Sequence, residues 1–109
     1  MADDSFAVFD ESNFDTQVLD REGLTVVDFW STTCVPCKQL KKVLGQVAED
    51  LPDDVVIGTV NGDENHDLLV RYGVRGFPTL LFIKGGEVVE TRTGVDRKQI
   101  LKKAIEAHA

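Results

Sequence analysis

Residues Leu24 to Trp30, "LTVVDFW", form an almost continuous apolar run. Such a run marks a strand covered on both faces, so the chain must build layers on either side of a sheet. An aspartate, Asp28, interrupts the run, and the chain's only two cysteines, Cys34 and Cys37, follow within a few residues. Periodicity elsewhere supplies the layers. Phe6, Val8 and Phe9 predict a short first strand, then a helix over about Glu11 to Arg21 capped by Ser12, with Phe14, Val18 and Leu19 on one face. From Cys34 the period becomes helical, with Leu40, Val43, Leu44, Val47, Ala48 and Leu51 as the stripe and Pro52 as the stop. Val55 to Val60 reads as a strand, Asn65 to Tyr72 as a short helix ended by Gly73, and Thr79 to Ile83 as another strand. Gly85-Gly86 turn the chain into a hairpin partner over Glu87 to Thr93. The last helix runs from about Asp96, its expected cap, to Ala107, with Ile100, Leu101, Ala104 and Ile105 as its apolar stripe. The order βαβαβαββα predicts an α/β fold, a mixed sheet with helices on both faces, in one domain over residues 1–109.

Composition excludes several functions. The chain of 109 residues is 42% hydrophobic and 28% charged, with formal net charge −7, so its average field repels phosphate backbones and anionic membrane surfaces. Apolar runs such as Leu80 to Ile83 are far too short to span a bilayer. The N-terminal "MADDSF" lacks the basic, apolar and small-residue zones of a secretory signal, so the expected location is the cytoplasm. In that reducing compartment a lone close cysteine pair points to catalysis or metal binding rather than a structural staple. The clusters Asp3-Asp4, Glu49-Asp50 and Asp53-Asp54 read as solvated faces.

If a helix begins at Cys34, Cys34 and Cys37 are neighbours at i and i+3, close enough to form a disulfide. Unpaired N–H groups and the positive potential of the helix start favour a thiolate over the free thiol, whose pKa is about 8.5. Cys34, at the tip, is the expected nucleophile. Cys37 lies one turn deeper on the apolar stripe, where it is suited to resolve a mixed disulfide. Pro36 fits the first turn, where its missing N–H costs nothing. Burial should raise the pKa of Asp28 above about 3.9, making it a base near neutrality that can take the proton of Cys37. The alternative is that Asp28 caps a neighbouring backbone group.

The stretch "VDFWSTTCVPCK" resembles the active-site segment of thioredoxins, "YGVRGFPTLLFIKGGE" is similar to that family's second signature, and "TGV" at Thr93 to Val95 matches its third. The three occur in the family's order and spacing and span essentially the whole chain. The resemblance implies a thioredoxin fold, a central mixed five-stranded sheet flanked by four helices. It also implies a protein disulfide reductase that is re-reduced by a separate thioredoxin reductase-type donor. No bound cofactor is needed, because the two sulfurs carry the electrons. Pro78 is then expected to be cis against the cysteine pair. Trp30, Gly76, Phe77, Pro78 and Gly94 would rim a shallow apolar groove, with Pro36 beside it, that takes extended protein substrates by backbone hydrogen bonds. Nothing demands more than a monomer.

This sequence departs from the family pattern at four positions. Thr33 stands in place of an exposed tryptophan and Val35 in place of glycine, which bears on partner choice and redox potential. Thr59 replaces a lysine near the buried aspartate, so Asp28 should titrate higher than is usual for the family. Lys42 replaces a helix-kinking proline, so the helix should run straighter. Other readings stay open. A zinc site needs about four ligands and could draw only on Cys34, Cys37, His66 and His108, the histidines reading as solvated residues and His108 as part of a frayed C-terminus. A glutathione-dependent role, an oxidase or isomerase in an oxidising compartment, and a non-catalytic adaptor of the same fold or a protein dedicated to one partner complete the set.

Overall fold

The computed structural model describes residues 6–109, so Asp3-Asp4 lie outside the described residues. Five strands form one sheet in the order β1-β3-β2-β4-β5. They are β1 (Ala7–Phe9), β2 (Leu24–Trp30), β3 (Val56–Asn61), β4 (Thr79–Lys84) and β5 (Glu87–Thr93). β1, β3 and β2 run parallel, while β4 and β5 are antiparallel, β4 to β2 and β5 to β4. A π-helical segment (Asp15–Leu19) and α2 (His66–Tyr72) cover one face, and α1 (Val35–Ala48) and α3 (Lys98–His108) the other. This is the mixed five-stranded sheet with four helices that the sequence predicts.

Strand periodicity divides the core. Leu24, Val26, Leu80 and Phe82 meet Leu40, Leu44 and Val47 of α1 and Leu101 and Ile105 of α3. Their chain neighbours Val27, Phe29, Leu81 and Ile83 turn the other way, onto Phe14, Val18 and Leu68. Asp28 shares the parity of Leu24 and Val26, which aims its carboxyl at α1.

Several local readings are corrected. The first helix is shorter than Glu11 to Arg21, and Ser12 does not cap it: Ser12 N–H instead donates to Asp10 Oδ1 at 2.8 Å. Asp10 and Asn13 close the turn reciprocally, Asn13 N–H donating to Asp10 Oδ1 (3.1 Å) and Asp10 N–H to Asn13 Oδ1 (2.8 Å). Asp96 does not cap α3, because its carboxylate accepts from Arg92 Nε at 2.8 Å and Arg97 takes the cap position without a side-chain bond. His108 is not frayed: it ends α3, sharing a 2.8 Å hydrogen bond with Glu90 and its ring lying edge-on to Phe82. Ile100 also leaves the expected stripe, being 37% exposed. α1 passes through Lys42 as one unbroken helix, and Gly73 ends α2 at φ 66°. Among the described residues, no helix is long and apolar enough to cross a membrane.

Gly58, central in β3, lies where a Cβ would enter the space of the buried Phe9 ring. The ring is 2% exposed and has nowhere to retreat. Gly58→Ala should therefore destabilise the chain by about 2 kcal/mol, read as a lower urea midpoint with an unchanged slope. An unshifted midpoint would mean that Phe9 repacks freely.

Candidate active site

β2 ends at Trp30, and a three-residue turn leads to Cys34, which occupies the N-cap of α1 in extended conformation (φ −90°, ψ 103°). The helix proper starts one residue later than expected, at Val35, with Pro36 in its first turn. Cys34 Sγ accepts the Cys37 N–H at 3.1 Å, so the sulfur does what a Ser or Asp side chain does at other helix starts. Cys34 and Cys37 are joined as a disulfide, with Cα atoms 5.3 Å apart. Cys37 is buried and Cys34 half-buried. Thr33 and Val35 are both exposed, Val35 by 76%.

The turn before the pair is held from β3's side. Asp63 accepts from Thr32 N–H (2.9 Å), Thr32 Oγ1 (2.7 Å) and Ser31 Oγ (3.1 Å), and these bonds hold its carboxyl below the usual range. Sequence reading missed Asp63. The signal was available, since β2 and β3 run parallel and the loops "STT" and "NGD" that follow them must leave the same edge of the sheet.

Asp28 is 1% exposed and sits in register between Thr59 and Leu80. Its Oδ1 is buried with no hydrogen-bond partner, which argues against the backbone-capping alternative. Desolvation pushes its pKa up to about 7, and the charge of Lys41 is the opposing influence. Thr59 thus brings no cation to Asp28, whereas Lys41, on the facing turn of α1, does; the sequence reading had not singled it out. Asp28, Trp30 and Cys37 line one cavity of about 320 Å³ together with Ser31, Thr32, Lys38, Lys41 and Lys42.

Gly76, Phe77, Pro78 and Gly94 line a second groove of about 310 Å³ with Thr93 and Leu81. The Phe77-Pro78 peptide is cis, and Pro78 C=O accepts from Gly94 N–H at 3.1 Å. Trp30 lines the Asp28 cavity instead of this groove, and Pro36 lines neither. Gly62 joins the two regions: its N–H donates to Trp30 C=O at 2.7 Å, and a Cβ there would overlap the Phe77 ring. Because Phe29 pairs with Thr79 in antiparallel register, Pro78 arrives beside the end of β2 from which the cysteine turn departs. Among the described residues, no three His, Cys, Asp or Glu side chains are grouped to hold a metal ion.

Burial of Asp28 makes stability depend on pH. The carboxyl ionises near 3.8 when unfolded and near 7 when folded. Below the lower value both states are protonated and nothing is lost. Between the two, only the unfolded chain releases its proton, so stability falls as pH rises, and above the folded value the loss is constant at about 4 kcal/mol. The unfolding free energy of oxidised Asp28→Asn, relative to that of the parent chain, should therefore rise by about 4 kcal/mol between pH 4 and pH 8 in urea titrations, the variant becoming the relatively more stable of the two. A pH-independent difference would contradict the raised pKa.

Comparison with known proteins agrees with this geometry. The thioredoxin family model matches residues 5–107. A thioredoxin of Chlorobaculum thiosulfatiphilum is 40% identical over 98 residues, 90% of this chain and 91% of the relative. A thioredoxin of Pseudomonas aeruginosa is 38% identical over 98 residues, again 90% and 91% of the two lengths. The crystal structure of Malassezia sympodialis thioredoxin (Mala s 13) superposes with a TM-score of 0.84 at 34% identity, covering 95% of this chain and 90% of that one. With the cysteine turn, the cis-proline loop and the sheet order all in place, the chain belongs to the thioredoxin family.

Proposed function

We infer that this chain is a protein-disulfide oxidoreductase working by dithiol-disulfide exchange through Cys34 and Cys37. The observation that carries the reading is the disulfide at the tip of α1 in a thioredoxin-family chain.

In the reduced form, the Cys37 N–H and the positive end of α1 favour a thiolate at Cys34. That thiolate attacks one sulfur of a substrate disulfide, the substrate's other sulfur leaves as a thiolate, and a mixed disulfide forms. Cys37 then loses its proton and attacks Cys34 Sγ, releasing the second substrate thiol and closing the Cys34–Cys37 disulfide. Two electrons pass from the cysteine pair to the substrate. Asp28 is the proton acceptor in this reading: it shares a cavity with Cys37, and its pKa of about 7 suits both holding and releasing a proton at neutrality. Gly76, Phe77, Pro78 and Gly94 form the substrate groove, with Trp30 and Pro36 flanking the sulfurs.

The electrons reside on the sulfurs, so the reading calls for no bound cofactor and for a separate reductase-type donor. A disulfide-reducing role suits a compartment where thiols are kept reduced, and the reading therefore takes the cytoplasm as its location. One domain over residues 1–109, acting as a monomer, suffices for this chemistry.

Insulin reduction in dithiothreitol, followed by turbidity, tests the reading. The parent chain should accelerate precipitation, and folded Cys34→Ser should not. No acceleration by the folded parent would point to a dedicated partner or an adaptor. In single-turnover experiments, resolution of the mixed disulfide should quicken as pH rises through about 7, and Asp28→Asn should lack that rise and resolve about tenfold or more slowly.

A further inference from the structure

The chain carries 19 acidic and 12 basic residues, yet Lys38, Lys41 and Lys42 fall within five positions of α1 and all line the cavity that reaches Cys37. Their i, i+3 and i, i+4 spacing puts them on one side of the helix, where like charges weaken it. Elsewhere the chain offsets such a pair: Lys98 and Lys102 share Asp50 at 3.4 and 3.7 Å. Lys38 and Lys42 have no acidic partner among the described residues, while Lys41 is the cation felt by Asp28. Asp28 is the only acid in the lining and is 1% exposed, and the nearby Asp63 is engaged by Ser31 and Thr32, so the exposed charged residues of the lining are Lys38 and Lys42. The cavity, about 320 Å³, is at the small end for ligand sites and suits one or two carboxylate side chains.

We propose that this lysine-rimmed cavity is a docking subsite for Asp or Glu side chains next to the disulfide of a protein substrate. The inference rests on the oxidoreductase reading and names the substrate class for the same site. A net charge of −7 disfavours the approach of an acidic segment on average, so the local charge of Lys38, Lys41 and Lys42 beside Cys37 is what draws such a segment in.

The test compares two disulfide-bridged peptides of identical sequence except that the residues flanking one cysteine are Glu in the first and Lys in the second. The reduced full chain should give kcat/KM about tenfold higher for the Glu peptide at low salt, shrinking to about twofold or less near 0.5 M salt. In Lys38→Glu/Lys42→Glu the preference should invert. In Lys98→Glu/Lys103→Glu, which changes net charge equally on another helix, it should persist. Because each result is a ratio within one preparation, partial loss of folded protein cancels. A parent ratio near one, a ratio untouched by Lys38→Glu/Lys42→Glu, or equal losses in both double variants overturns the proposal. Reduction of neither peptide by the parent chain overturns the oxidoreductase reading and the proposal with it.

Discussion

Everything in this molecule is arranged around the burial of β2 on both faces. A strand enclosed in this way cannot carry an ionised carboxylate without a large desolvation cost, and Asp28 sits in its middle with one oxygen unbonded. The cost is lowered by holding the proton up to about pH 7, with the charge of Lys41 opposing the shift. A carboxyl held in that condition beneath the first turn of α1 is poised between acid and base at neutral pH. The strand that organises the core thus also brings an ionisable group into the cavity that Cys37 lines.

Pairing of β2 extends the same logic. Its parallel neighbour β3 delivers Asp63 to the Ser31-Thr32 turn, and its antiparallel neighbour β4 delivers Pro78 to the end of Trp30. Gly62 lets Phe77 close over the junction. Three separate stretches therefore meet at one edge of the sheet because their strands do, a placement fixed by hydrogen-bond register rather than by side-chain contacts with the sulfurs.

Long, strongly patterned elements were readable from sequence. β2 announced itself by continuous apolarity, α1 by the Leu40, Leu44, Val47 spacing, and the disulfide by the spacing of Cys34 and Cys37. What escaped was decided by competition between polar side chains. Asp10 outcompeted Ser12 for the first turn because it bonds both Ser12 and Asn13 N–H groups, and Arg92 drew Asp96 away from the start of α3. His108 reads as a loose end in sequence because its partner Glu90 lies 18 residues away. Lys41 and Asp63 were missed for a related reason: each acts on a residue distant in sequence, and only the fold makes them neighbours.

The cysteine pair also determines what the protein does not have to change. A ring closed between residues only three apart confines far less of the unfolded chain than a long-range crosslink would, since loop entropy grows with ring size. The Cys37 N–H that caps the helix through Cys34 belongs to the same first turn as the bond itself. Electron storage is thereby confined to one turn of backbone, and loading or unloading the carrier makes little demand on the rest of the fold. A partner that distinguishes the two redox forms must therefore do so at the tip of that one helix.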